Sequence, residues 1–437
     1  MKYYCIGIKG TGMSTLAQIL HDLGNEVSGY DDAKGHKFTQ VGLEERNIPI
    51  YYDGSANLSK DTIVTYSVAF KEDHKELQRV KSLGLKIKKY NEIMADVIDL
   101  FKTIGVSGTH GKTSTSSMIR HILEDTVGCN YFIGAGDGYA NKENTYYVVE
   151  SDEFNKHFTV YHPTYSIITN IEREHLECYD GIDDIREAFT KFSNNTKELI
   201  IANGDNEEVR KIETPTKMLY YGFNENNDII IHDVSLGEEL SSFSLTYQGE
   251  NLGTFSIPLF GKHMVSNAAA AIAMCHYIGI STENIRNSLL TFKNAKRRFA
   301  EEKVEDTVII DDYAHHPTEI KATLEAVRQR YPDKRIVVVF KPNTYSRTKD
   351  FKNEFIDSFK LADKTYLTEI DCNRERQEDY PGITSHIITD ELPSAEIIDE
   401  ASIDKLKDEK NSVVCFLGCA YVDSLINAFK EELKKQK

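Results

Sequence analysis

The chain has 437 residues, 40% of them hydrophobic and 28% charged, which is the composition of a folded protein too long for one core. No apolar run approaches the roughly 18 residues of a membrane span, and the amino terminus enters a strand and a glycine turn rather than a signal peptide. A net charge of −17 argues against nucleic acid as the main partner, while seven cysteines without paired spacing fit a reducing cytoplasm.

Residues 1–95 alternate between strand and helix patterns: a strand over 3–8, a helix over 13–23 closed by Gly24, a strand over 26–30, another over 62–66 and a helix over 73–83. That alternation predicts a doubly wound α/β unit. Its first turn offers Gly10, Thr11, Gly12 and Met13 at a helix N-terminus, where backbone amides hold a pyrophosphate. Asp31 follows about 20 residues on, in the place of a ribose acceptor. Thr15 stands at the third glycine of G-x-G-x-x-G, so the fingerprint is incomplete and does not separate NAD from a UDP-sugar.

Residues 96–295 continue the α/β pattern around a second phosphate turn. A buried strand from Lys102 runs into Gly108-Thr109-His110-Gly111-Lys112-Thr113-Ser114 and a helix reaching about Leu123. The extended motif asks for glycine where Val106 stands; the core G-x-x-G-K-T is complete. Lys112 is expected on the β- and γ-phosphates and Thr113 on the metal side, as in a nucleoside triphosphate site. Downstream, a strand over 146–149 ends in Glu150-Ser151-Asp152-Glu153, with acidic groups placed where a metal ligand is wanted. Another strand over 165–169 leads to His175, an unusual ligand for Mg²⁺, which prefers oxygen. Asn267 precedes an alanine-rich helix and offers an amide suited to a purine edge, with close helix packing as the alternative.

This series resembles the Mur ligase family: Gly-Thr-His-Gly-Lys-Thr over 108–113, Glu-Ser-Asp-Glu over 150–153, Thr169-Asn170-Ile171 with His175, then Asn267 before the alanine helix. Residues 296–437 extend the resemblance through Lys296-Arg297-Arg298-Phe299, Asp312-Tyr313-Ala314-His315-His316-Pro317-Thr318-Glu319 and the segment 341–348 containing Arg347. Five departures from the family pattern stand at Lys9, Thr15, Met264, Asn343 and Tyr421.

The resemblance implies three α/β domains: an N-terminal Rossmann-like UDP-substrate domain at 1–95, a central P-loop ATPase-like domain at 96–295, and a C-terminal Rossmann-like domain at 296–437 for amino acid and ATP. Among the family, the amino-terminal turn points to members that use ATP and Mg²⁺ to join UDP-N-acetylmuramate to L-alanine through an acyl phosphate. The resemblance gives Lys112, Glu150, His175, His315 and Arg347 catalytic roles, and sets Thr113, Glu150 and His175 around the metal. Residues 108–114, Asn267, Arg298 and Asp312 would bind ATP; Gly10, Thr11, Gly12, Met13, Asp31 and Ser67 would bind the UDP-sugar. A peptide-attaching relative, a nicotinamide-dependent dehydrogenase and a non-catalytic nucleotide binder are the rival readings.

Overall fold

The computed structural model describes every residue except Val68, Ala135, Leu176, Asn373, Arg374, Tyr421, Gln436 and Lys437, with the backbone alone at Asp137. The departure at Tyr421 therefore lies outside the described residues. Three sheets organise the chain. The first contains β1 (Lys2–Ile6), β2 (Glu26–Tyr30), β3 (Ile50–Tyr51), β4 (Thr62–Tyr66) and β5 (Lys86–Ile87). Its order is β3-β2-β1-β4-β5 and every neighbouring pair is parallel. The strand order reverses beside β1, so the 7–10 turn opens at the switch point of the sheet, where such folds bind ligands.

The second sheet holds β6 (Lys102–Ser107), β7 (Cys129–Ile133), β8 (Asp137–Tyr139), β9 (Tyr146–Glu150), β10 (Tyr165–Ile168), β11 (Leu199–Asn203), β12 (Lys217–Gly222), β13 (Ile229–Leu236), β14 (Ser241–Tyr247) and β15 (Glu250–Ile257). Its order, β15-β14-β13-β12-β11-β10-β6-β9-β7-β8, sets β6 between β10 and β9. Both neighbours run parallel to β6, so their carboxyl ends meet the turn that follows Ser107. The α/β pattern did not anticipate the strands β13–β15. Gln248 and Gly249, the two residues between β14 and β15, both have positive φ, 46° and 87°. That is the signature of a type I′ hairpin, whose twist matches that of its strands.

The third sheet contains β16 (Ala300–Val304), β17 (Thr307–Asp312), β18 (Ile336–Phe340), β19 (Lys364–Leu367), β20 (Ala395–Ile397) and β21 (Val413–Leu417), in the order β16-β17-β21-β18-β19-β20. Only β16 pairs antiparallel. Val308, Ile310 and Val338 enter one apolar cluster while Ile309, Val337 and Val339 enter another, so successive side chains feed cores on opposite faces.

The chain gathers into two compact units, one of Met1–His232, Ser244–Phe255 and Asn267–Leu290, the other of Asp233–Phe243, Ser256–Ser266 and Thr291–Lys437. Within the first unit, Tyr3, Cys5 and Leu16 share one apolar cluster with Ile93, Val97, Tyr147, Phe158 and Phe192, so the first two sheets have a common core. No helix among the described residues is long and apolar enough to cross a membrane.

Candidate active site

The turn after β6 needs its glycines. Gly108 has φ +140°, and a Cβ there would lie 1.9 Å from Thr169 Oγ1; Gly111 has φ +86°, and a Cβ would lie 2.7 Å from Asn267 Oδ1. Asn267 thus stands against the loop backbone. The segment after β10 templates the same loop from the other side. Asn170 Oδ1 accepts the His110 N–H at 2.9 Å and Asn170 Nδ2 donates to the His110 carbonyl at 3.0 Å. The Asn170 carbonyl accepts the Thr109 N–H at 3.0 Å, and Thr109 Oγ1 accepts the Glu172 N–H at 2.9 Å. The expected cradle of amides over 108–111 is therefore partly engaged within the protein. The amides that a helix start leaves without intrahelical partners follow at once, where the helix Lys112–Glu124 begins behind its Gly111 N-cap. Thr113 is partly exposed and Ser114 is buried. Asn170 appears in the motif but carried no expected role; its side chain pairs with a peptide, which no sequence pattern displays.

Lys112 Nζ reaches Glu153 at 2.8 and 3.0 Å and donates to the carbonyls of Gly108 at 2.6 Å and Thr109 at 3.2 Å. Burial opposes the ammonium, but the charges of Glu153, Asp152 and Glu150 outweigh it and hold the lysine above its ordinary range. Burial, joined by the charge of Asp152, pushes the Glu153 carboxyl up, and Lys112 and His175 pull it back. Glu153 also lies 3.7 Å from His175 Nε2. Burial works against charge on His175, yet Glu177, Glu153, Glu174 and Asp152 together raise its pKa. His175 holds a left-handed backbone at φ 54°, and its ring packs edge-on against Phe154 at 5.1 Å.

Ligand atoms of Asp152, Glu153 and His175 all lie within 4.8 Å of one another. Two carboxylates and an imidazole at that separation fit one divalent cation in size and charge. Glu153, which carried no expected role, is the carboxylate that reaches both Lys112 and His175, while Glu150, expected at the metal, acts on Lys112 through its charge. Glu150 closes β9 opposite Val106, and its carboxylate faces Gly134.

In the amino-terminal turn the Gly10 N–H donates to the Gly7 carbonyl at 3.0 Å, and the helix Thr11–Asp22 starts at once. Gly12 faces the Tyr90 hydroxyl, and the Met13 side chain is part of the core, so Met13 offers only its backbone to a ligand. Asp31, expected on a ribose, is buried and bound to the turn: Oδ2 accepts the Lys9 N–H at 2.9 Å and Oδ1 accepts the Ala33 N–H at 3.0 Å. Lys9 is buried too, its ammonium donating to the carbonyls of Ala33 at 2.6 Å and Gly35 at 2.8 Å. Lys9 and Asp31 thus lock the 31–35 loop onto the glycine turn. Ser67 donates its N–H to the Ile6 carbonyl at 3.0 Å and sits against Gly7.

In the second unit, Asp312 likewise clamps backbone: Oδ2 accepts the Phe299 N–H at 2.7 Å and Oδ1 the Ala314 N–H at 2.8 Å. Burial raises its pKa and the neighbouring Arg298 opposes that rise. Arg297 is structural, donating to the carbonyls of Gly418 at 2.6 Å and Ala420 at 3.0 Å. Arg298 lies over the Tyr313 ring at 4.9 Å. Arg347 Nη1 donates to Asn343 Oδ1 at 2.7 Å, so the departure at Asn343 orients the expected arginine. His315 lies at the start of the helix Pro317–Arg330 with 17% of its side chain exposed.

Three family models match in succession: "Mur ligase family, catalytic domain" over residues 2–102, "Mur ligase middle domain" over 106–275 and "Mur ligase, glutamate ligase domain" over 297–419. The chain is 39% identical over 435 residues to the UDP-N-acetylmuramate–L-alanine ligase of Lactococcus lactis subsp. cremoris, covering 99% of this chain and 98% of that one. Against the Pediococcus pentosaceus protein of the same name it is 40% identical over 433 residues, covering 99% of each. Among solved structures, the UDP-N-acetylmuramate–alanine ligase of Thermotoga maritima superposes with a TM-score of 0.79 at 25% identity, covering 100% of both chains. A murein peptide ligase from Psychrobacter arcticus shares the fold, with a TM-score of 0.69 at 20% identity and coverage of 99% and 98%. With full-length relatives at this identity and all three models matched in order, the chain belongs to the Mur ligase family.

Proposed function

We propose that this chain is an ATP-dependent ligase that joins L-alanine to the lactyl carboxylate of UDP-N-acetylmuramate, in the cytoplasmic synthesis of a peptidoglycan precursor. The observation that carries the reading is the likeness, along almost the whole chain, to ligases named for that reaction. The grouping of Lys112, Glu153 and His175 at the ends of β6, β9 and β10 supports it.

A carboxylate does not acylate an amine at neutral pH until it has a leaving group. ATP supplies one by phosphorylating it, and the protein's part is positioning and charge stabilisation. The amides of Gly111, Lys112 and Thr113 take the phosphates, and Lys112 exchanges Glu153 for the β- and γ-phosphoryl oxygens. Asp152, Glu153 and His175, with the Thr113 hydroxyl, would hold Mg²⁺, which when bound neutralises charge on the transferring phosphoryl group. The 10–13 turn holds the UDP diphosphate. Arg298 contributes charge to the ATP phosphates, Asn267 fixes the loop, and Arg347 takes the amino acid carboxylate or the departing phosphate. His315 receives a proton from the incoming ammonium.

The test is phosphate release from ATP and UDP-N-acetylmuramate on adding L-alanine, glycine, L-serine or the muramyl tripeptide. Release with L-alanine is expected; release with the tripeptide alone removes the L-alanine assignment and keeps the family chemistry.

A further inference from the structure

One carboxylate organises the turn that carries His315. Glu319 Oε2 accepts the N–H of His315 at 3.0 Å and of His316 at 3.3 Å, a capping box for the helix Pro317–Arg330. The same oxygen lies 3.1 Å from His315 Nδ1, which is also 3.0 Å from the Tyr313 carbonyl. A carbonyl can only accept, so Nδ1 carries the proton and the neutral ring keeps its lone pair on Nε2. The Tyr313 ring meets the imidazole edge-on at 5.3 Å and fixes its plane. Capping alone would require only the backbone contacts; the approach to the ring is additional.

We propose that Glu319 is a positioning residue for amide formation: it holds His315 in the Nδ1–H tautomer and stabilises the imidazolium formed when Nε2 takes a proton. The inference rests on the ligase reading above. The L-alanine ammonium gives one proton to His315 Nε2, and the freed nitrogen lone pair attacks the acyl-phosphate carbonyl. The C–N bond forms, and the C–O bond to phosphate breaks with its electron pair on oxygen. The second nitrogen proton leaves with the phosphate as hydrogen phosphate, and the imidazolium returns its proton to solvent. A carboxylate on the far nitrogen of a catalytic imidazole does this work wherever the arrangement recurs.

Among the described residues, the other titratable and charged groups around the pair include the adjacent His316, Tyr313, Asp312, Arg298 and His263. Asp312 and Tyr313 both feel the charge of Glu319, and Arg298 faces them both. Burial pushes the His263 imidazole down to about 4 against the pull of Glu319, so it stays neutral and does not compete for the proton.

Glu319→Gln keeps an oxygen for the capping amides and removes the charge. Three readouts on the full chain separate the possibilities: acyl phosphate trapped with hydroxylamine in the absence of amino acid, kcat for amide formation, and the ¹⁵N shifts of the His315 ring. The hydroxamate rate should stay within about twofold of wild type while kcat with L-alanine falls at least about tenfold. Losing the carboxylate frees the ring to take the other tautomer, so the Nε2–H signal should grow in Glu319→Gln; Glu319→Asp, which keeps the charge, should hold the Nδ1–H form. An unchanged kcat with unchanged ring shifts in Glu319→Gln overturns the proposal, as do wild-type ring shifts showing the Nε2–H tautomer, a measurement that needs no variant. Absence of hydroxamate from the wild type instead overturns the ligase reading, and with it the step assigned to Glu319.

Discussion

Asn170 determines how much of the phosphate turn is left for a nucleotide. Its amide pairs with both backbone groups of His110, as a neighbouring strand would, and fixes the loop backbone. Asn170→Ala removes two part-buried hydrogen bonds and lets the loop relax. The KM for ATP should rise on the order of tenfold, about 1.4 kcal/mol, with affinity for the UDP-substrate unchanged by calorimetry. Lys112 and Glu153 are coupled differently. Lys112→Ala should abolish turnover and leave a buried carboxylate without its ammonium, a loss of about 3–5 kcal/mol when that group is charged. The sign of its pH dependence follows. Burial without Lys112 raises the folded-state pKa of Glu153, so the folded variant binds the extra proton. Its stability deficit relative to wild type should therefore be small in mildly acidic buffer and grow as pH rises through that raised value. Thermal melts of the two proteins across pH check this; a deficit independent of pH removes the buried-charge account.

The helix Thr11–Asp22 and strand β8 show a close approach met in an unexpected way. Sequence rules want a third glycine at position 15, so that helix and strand can pack; this chain has Thr15. The room comes instead from Gly138, where a Cβ would lie 2.3 Å from Thr15 Cγ2. The missing glycine is on the partner element. Gly138→Ala should destabilise the protein by about 1–3 kcal/mol, and Thr15→Gly in the same chain should recover most of that loss. Additive losses in denaturant unfolding would show that the two positions do not share the space. Elsewhere, strand and helix existence was legible because buried parallel strands leave apolar runs, as β18 does with Ile336–Phe340. The hairpins of β13–β15 were not, because partly exposed strands leave a weaker pattern and the decisive feature, two positive φ values, belongs to the backbone.

Across the whole molecule, all seven cysteines are free thiols. Cys5, Cys129, Cys275 and Cys415 are buried, and burial holds each above its ordinary pKa, Cys5 and Cys129 at about 12. Little thiolate exists at those positions near neutrality, so native alkylation should be confined to Cys178, Cys372 and Cys419. Intact mass after iodoacetamide should show at most three additions in the native state and seven after denaturation; a fourth native addition would show a core that opens.

The sequence by itself determined the three α/β segments, the two glycine turns at helix starts and the family. Those features depend on local spacing: glycine where φ must be positive, apolar runs where strands are buried, lysine and threonine where a helix begins. Only the tertiary structure decided which carboxylate stands beside which donor. Glu150 and Glu153 are equally acidic in the sequence, and the fold brings Glu153 to Lys112 and His175. Asp31 and Asp312 each hold two backbone amides, contacts that no sequence spacing displays. A charge has no fixed role in a sequence, because its role depends on which unpaired donor the fold brings within about 3 Å of it.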